Sequence, residues 1–221
     1  MTASSDPVVL PGARDVRATL DSADEPADGD AVVVACPPHP QHGGSRSDSR
    51  LTAVSDALCE RGVDCLRFDY GSWDEGCGER LDTRNALRWA TDRYDAVGLF
   101  GYSFGATTAL LAAGEASATA APKTPNAVSV LAPDRGDFDT DCDTDTDRNI
   151  DRDAVSALDR IGCSVQIVYG ERDTTVEWEP VAERARERRF AVEAMPADHF
   201  FVGQTANVGT QVTAFLVEHL H

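Results

Sequence analysis

The chain has 221 residues, with 20 Lys+Arg against 38 Asp+Glu, a formal net charge of −18 and a pI near 4.5. Apolar residues make up 42% of it and charged residues 26%, ordinary globular usage, so a core can be built and wholesale disorder is excluded. An acidic balance of this size argues against a nucleic-acid partner, which needs a basic footprint, and against an anionic membrane surface.

The kinds of charge say more than their sum. Asp outnumbers Glu 26 to 12, and Arg outnumbers Lys 19 to 1, the single lysine being Lys123. Short carboxylates crowd without prohibitive repulsion where salt is concentrated, because the screening length falls to ~3 Å at 1 M. The surface therefore resembles that of haloarchaeal cytosolic proteins. The longest apolar run, 31–36, is only strand-sized, and residues 1–7 have neither a basic n-region nor an apolar h-region. A cytoplasmic protein without a membrane anchor is expected. The six cysteines, at 36, 59, 65, 77, 142 and 163, form no Cys-x-x-Cys and no Cys/His zinc spacing. Reduced thiols and no metal site are expected.

In chain order, residues 1–30 read as an edge hairpin (8–10 and 16–20) followed by an acidic, turn-rich lead-in. Strand-sized runs follow at 31–36, 63–68, 96–100, 127–131 and 165–169, with a weaker one at 190–195, most of them rich in Val, Leu, Ile, Ala and Phe without strict alternation. Such runs suit parallel strands covered on both faces. Between them the spacing predicts helices over about 47–61, 79–93, 104–116, 177–189 and 205–220. Leu51, Val54 and Leu58 line one face of the first, and Val208, Val212, Phe215, Leu216 and Leu220 one face of the last. The alternation predicts one α/β domain over 1–221, a mostly parallel open sheet with helices on both faces. Residues 134–152 are nearly all polar and read as an insertion after the 127–131 strand. Asp143, Asp145 and Asp147 lie within it. They lack the Gly and bidentate Glu of a calcium loop, so a solvated acidic loop is the reading.

Gly101-Tyr102-Ser103-Phe104-Gly105 fits Gly-x-Ser-x-Gly. The bare pattern is cheap in a chain with 17 glycines, so its context decides. A predicted strand ends directly at Gly101 and a predicted helix starts directly after Ser103, the setting of a nucleophile elbow. There the two glycines keep side chains out of the tight turn, and the helix N-terminus lends positive potential to an oxyanion. A serine hydroxyl is inert at neutral pH and needs a base. Asp173 follows the 165–169 strand and His199 follows the 190–195 strand, which brings both to the same carboxyl edge of the sheet. In the order Ser, Asp, His, His199 would accept the Ser103 proton and Asp173 would hold the far side of the imidazole. Asp198 and Asp134 are rival acids, the second the better placed, while His219 and His221 sit at a terminal helix end.

The oxyanion needs two donors. The Phe104 N–H, directly after the nucleophile, is one. The loop Cys36-Pro37-Pro38-His39-Pro40-Gln41-His42-Gly43-Gly44 would supply the other, and because proline has no N–H, His39 owns the only donor between 37 and 40. His42, Tyr102 and Phe200 are read as pocket lining. No cofactor is called for.

These motifs, with Arg67-Phe68-Asp69-Tyr70, the Gly78-Glu79…Asp82 run, Gly170-Glu171-Arg172-Asp173 and Asp198-His199-Phe200-Phe201, resemble the dienelactone-hydrolase-like branch of the α/β-hydrolase superfamily over about residues 31–221. The resemblance implies the α/β-hydrolase fold and a serine-dependent, carboxylesterase-like hydrolysis of acyl compounds. Dienelactone hydrolases proper use a Cys nucleophile where Ser103 stands, so their lactone does not carry over. Relatives often have His-Pro-His-Pro where this chain has Pro37-Pro38-His39-Pro40, and the loop after Tyr70 looks shortened. Residues 134–152 lack the apolar residues of lipase lids, which implies a minimal lid and small or polar substrates. The expected activity is hydrolysis of a small carboxylic ester or thioester through an acyl-serine. The alternatives are a peptidase or amidase, and a non-catalytic protein of the same fold that binds a small ligand.

Overall fold

The computed structural model describes residues 4–12, 14–24, 30–118, 123–136 and 153–220. Among them runs an eight-stranded sheet in the order β1-β2-β4-β3-β5-β6-β7-β8. Its strands are β1 (Ser4–Val9), β2 (Arg17–Ser22), β3 (Ala31–Cys36), β4 (Asp64–Phe68), β5 (Ala96–Tyr102), β6 (Ala127–Leu131), β7 (Ser164–Gly170) and β8 (Ala191–Met195). β1 pairs antiparallel with β2 and β2 antiparallel with β4, and every other pairing is parallel. The hairpin expected at 8–10 and 16–20 is thus present but longer.

The helices are α1 (Ser49–Cys59), α2 (Cys77–Thr91), α3 (Phe104–Ala118), α4 (Ala154–Leu158), α5 (Glu179–Glu187) and α6 (Thr205–Leu220). α4, a single short turn of helix without a readable period, was not expected. The covering of both faces is visible residue by residue in β3. Val32, Val34 and Cys36 join the core shared with Leu87, Leu110, Leu158 and Val181, from α2 to α5. Ala31, Val33 and Ala35 point the other way, against Leu51 and Leu58 of α1 and Val208, Val212 and Leu216 of α6. An apolar run with no alternation is what a strand with two buried faces requires.

Three buried ionic clusters set the frame. Arg14 donates through Nε to Asp82 at 3.0 Å and through Nη2 to Glu79 at 3.2 Å, and it also bonds the Ser72 carbonyl. The same two carboxylates accept from the N–H groups of Gly71, Asp74 and Gly76, so the 71–76 loop is tied down around them. Glu115 of α3 bridges Arg80 and Arg84 of α2 at 3.2 Å each. Asp21 accepts from Arg67 Nε, Ser5 Oγ and Ser55 Oγ, each at 2.6 Å, joining the hairpin to β4 and α1.

Burial pushes the Asp21 carboxyl up, but those hydrogen bonds and the Arg67 charge outweigh it and hold its pKa below the ordinary 3.8. A folded pKa below the unfolded one means stability present above about pH 4 and lost as pH falls through the depressed value. The stability difference between wild type and Asp21→Asn, read from denaturant midpoints, should therefore shrink as pH is lowered below 4.

Cys36, Cys59, Cys65 and Cys163 are free thiols, as expected, whereas Cys77 is disulfide-bonded, against the expectation for this residue. Cys142, His221, the Asp143–Asp145–Asp147 run and the rest of the expected polar insertion beyond Gly136 lie outside the described residues. No described helix is long and apolar enough to cross a membrane, and no group of His, Cys, Asp and Glu among the described residues is arranged to hold a metal ion.

Candidate active site

The carboxyl ends of β3, β5, β6, β7 and β8 lie along one edge of the sheet, and the loops that leave them carry the residues singled out from the sequence. β5 ends at Tyr102, and α3 begins at Phe104, leaving Ser103 alone in the turn with φ +56°. A left-handed conformation in a non-glycine residue is costly and is kept only where the surroundings impose it. Here the Ser103 N–H donates to the Leu131 carbonyl at 2.9 Å, while the Ser103 carbonyl accepts from Ala106 at 2.9 Å. The flanking glycines are sterically required. A Cβ on Gly101 would lie 2.5 Å from the Gly105 carbonyl carbon, and one on Gly105 would lie 2.5 Å from the Pro37 carbonyl oxygen.

β7 delivers Asp173 and β8 delivers His199, both buried. His199 Nδ1 meets Asp173 Oδ2 at 2.7 Å, and His199 Nε2 meets Ser103 Oγ at 3.0 Å. A carboxylate can only accept, so the imidazole proton sits on Nδ1, Nε2 presents its lone pair, and the Ser103 hydroxyl donates to it. Asp173 is aimed by its surroundings: Oδ1 accepts from the Thr175 N–H at 2.9 Å, and its carbonyl accepts from Trp178 Nε1 at 3.2 Å. The rival acids are elsewhere. Asp198 Oδ1 accepts from the Phe200 N–H at 3.0 Å within its own loop. Asp134 lines the cavity, and its carbonyl accepts from Thr107 Oγ1 at 2.9 Å. His219 Nδ1 lies 2.8 Å from the Phe215 carbonyl on α6, away from the site.

The cavity over Ser103 holds about 690 Å³, and its walls include His39, His42, Tyr102, Phe104, His199 and Phe200, all expected there. His39 and Phe104 line the cavity with Ser103, their ring centroids 5.0 Å apart. The His39 imidazole stacks on His42 at 4.5 Å and leans on Trp73 at 4.5 Å. Its Nδ1 accepts from the Gln41 N–H at 3.3 Å, which leaves the proton on Nε2. Burial, helped by the neighbouring His42, keeps its pKa below the ordinary 6.5, so the ring is neutral at pH 7. The Tyr102 hydroxyl is pushed up to about 12, chiefly by burial, and so stays protonated and donates to the His199 carbonyl at 3.0 Å.

Sequence reasoning missed Asp48, Arg50 and Thr175 in the cavity wall, and Trp73 behind it. Trp73 is set by the loop that Glu79 and Asp82 anchor, and no local signal marks a tryptophan placed by charges elsewhere. Arg50 opens α1 and meets Phe200, 150 residues away, so nothing in its own segment announces the contact.

The strand order, the two-sided helical cover and the elbow after β5 together define the α/β-hydrolase fold. Solved structures agree over almost the whole chain. The protein is similar to a lidless α/β serine hydrolase from Xanthomonas campestris, with 22% identity, 100% of this chain and 97% of that one covered, and a TM-score of 0.76. It is similar also to Est1E from Butyrivibrio proteoclasticus (18%, 98% and 99%, TM-score 0.77). A third likeness is to a dienelactone hydrolase from Anabaena variabilis (20%, 100% and 100%, TM-score 0.70). No family model matches the chain, and no curated protein sequence does.

Proposed function

We propose that this protein is a serine hydrolase that cleaves small carboxylic esters or thioesters through an acyl-serine intermediate. The observation that carries the reading is the unbroken chain of contacts from Ser103 Oγ to His199 to Asp173, at 3.0 and 2.7 Å, opening on a cavity of about 690 Å³. In this reading Ser103 Oγ attacks the acyl carbon and its proton passes to His199 Nε2. The imidazolium so formed is stabilised by Asp173. The carbonyl oxygen takes the negative charge and is met by the N–H groups of Phe104 and His39 at the start of α3 and after β3. Collapse expels the alcohol or thiol, which takes the proton from His199. Water then enters, gives its proton to the same nitrogen, and releases the acid and the free serine.

The cavity size supports small substrates, and the halophile-like composition supports assay in molar KCl. Among the similar structures, one of Est1E has ferulic acid bound, which recommends a hydroxycinnamate ester for the substrate panel. The test is labelling by a small fluorophosphonate together with hydrolysis of p-nitrophenyl acetate and palmitate at molar KCl. Expected are covalent modification at Ser103 and turnover of the acetate but not of the palmitate. A folded protein whose Ser103 stays unmodified would leave a binding protein of the same fold as the reading.

The His39 donor can be tested alone. Its φ of −55° suits proline, so His39→Pro removes the N–H with little strain, and His39→Ala removes the same imidazole but keeps the N–H. Proline should lower kcat about 10²–10³-fold below alanine, the loss typical of one oxyanion donor. Equal rates in the two variants would assign the donor elsewhere.

A further inference from the structure

Two consecutive carbonyls in the histidine loop are each held by a donor from another element. The Tyr102 hydroxyl, at the end of β5, donates to the His199 carbonyl at 3.0 Å. Arg50 Nη1, from α1, donates to the Phe200 carbonyl at 3.2 Å. The Arg50 guanidinium also lies 4.4 Å from the Tyr102 ring centroid, over its face. Arg50 is itself fixed. Asp48 caps α1, its Oδ1 accepting from the Arg50 N–H at 2.9 Å, and its Oδ2 pairs with Arg50 Nη2. Their side chains are 17% and 11% exposed.

A guanidinium carries five N–H donors in a rigid planar fork, so one side chain can tie three elements at once. Phe200 and Val202 are 54% and 78% exposed, and Phe201 between them sits at φ +50°, a strained backbone for a residue with a Cβ. His199 must keep one nitrogen on Ser103 and the other on Asp173. A displacement of about 1 Å in such a group can cost about 10²-fold in rate.

We infer that Arg50 is a positioning residue for His199, acting through the Tyr102 ring and the Phe200 carbonyl. Its charge is matched by Asp48, so it serves the loop and not an anionic substrate. This rests on the reading of Ser103 and His199 as nucleophile and base, and the experiment separates the two. The second-order rate of fluorophosphonate labelling at Ser103 is measured in molar KCl, alongside kcat and KM for p-nitrophenyl acetate. The proteins compared are the wild type, Arg50→Ala, Arg50→Lys and Tyr102→Phe. Arg50→Ala should slow labelling and kcat about 10- to 100-fold with KM little changed. Arg50→Lys, which keeps a cation over the ring and a donor, should recover most of that loss. Tyr102→Phe keeps the ring but not the hydroxyl and should fall between. Because Arg50→Ala leaves Asp48 unpaired, the double variant Asp48→Asn/Arg50→Gln is measured as well, with the thermal unfolding of each protein. Slow labelling by the folded double variant supports the inference. Labelling at the wild-type rate in Arg50→Ala or in the double variant, a loss carried by KM alone, or no recovery with lysine overturns it. An unreactive wild type overturns the proposed function with it.

Discussion

His199→Ala should lower kcat for a short ester about 10⁴–10⁶-fold and abolish fluorophosphonate labelling of Ser103, while leaving the protein folded. The size of the effect follows from the position of His199, the imidazole that among the described residues bonds the Ser103 hydroxyl. At pH 7 a serine hydroxyl holds its proton, and His199 Nε2, 3.0 Å from Oγ, is the acceptor in line to take it. Ser103→Ala should fall to the same floor and the double variant no further, because removing either member dismantles one unit. Asp173→Asn should cost about 10⁴-fold for a different reason. An amide that donates to Nδ1 would leave the imidazole in the wrong tautomer, with its proton facing Ser103. Asp134→Asn, in the same cavity but out of that chain of contacts, should cost far less. If Asp134→Asn proved the more damaging of the two, the assignment of Asp173 would be wrong.

Gly105→Ala should destabilise the protein by about 3 kcal/mol or more and cost most of its activity. The methyl would overlap the Cys36 carbonyl oxygen and lie 2.5 Å from that of Pro37, and both are backbone atoms that no rotamer change can move aside. The fold must then lift α3 away from the end of β3. In the proposed mechanism the oxyanion donors Phe104 and His39 stand on either side of that gap, so the separation should reach the chemistry, at about 10²-fold per ångström. Gly162→Ala is the control: a Cβ there meets nothing within 4 Å and the backbone is not left-handed. Denaturant midpoints and kcat for both variants decide the matter. Near-wild-type behaviour of Gly105→Ala would mean that the elbow packs more loosely than described.

Much of this site could be read before any coordinates, for physical reasons that are particular to it. The central strands are buried on both faces, so β3 and β5 stand out as unbroken runs, and β6 and β7 as apolar runs interrupted by Ser129 and Gln166, which bond each other. A parallel sheet then sends every following loop to one edge, so Ser103, Asp173 and His199 could be brought together from strand ends alone. The choice between Asp173 and Asp134 was harder, since both follow strands. In the structure it is the Asp173 carboxylate that meets His199, at 2.7 Å, with the Thr175 N–H on its other oxygen. What escaped were features made by residues far apart. Glu79 and Asp82 look like a solvated helix face, yet both are fully buried because Arg14, more than sixty residues earlier, reaches in to meet them. Arg50 escaped in the same way. α4 is too short to show a period, and the Cys77 disulfide follows no spacing rule.

The placement of two of the thiols provides an internal clock for the whole sheet. Cys36 closes β3, and Cys65 sits opposite Val33 in β4, both with no exposed surface. Burial lifts the Cys36 thiol to about 12 and the Cys65 thiol higher still, so neither is a thiolate under ordinary conditions. An alkylating reagent can reach them only after the centre of the molecule has come apart. Pulsed alkylation read by mass spectrometry at increasing denaturant would therefore time global opening without any engineered probe, and the concentration at which both sulfurs become reactive together would mark the limit of the folded state.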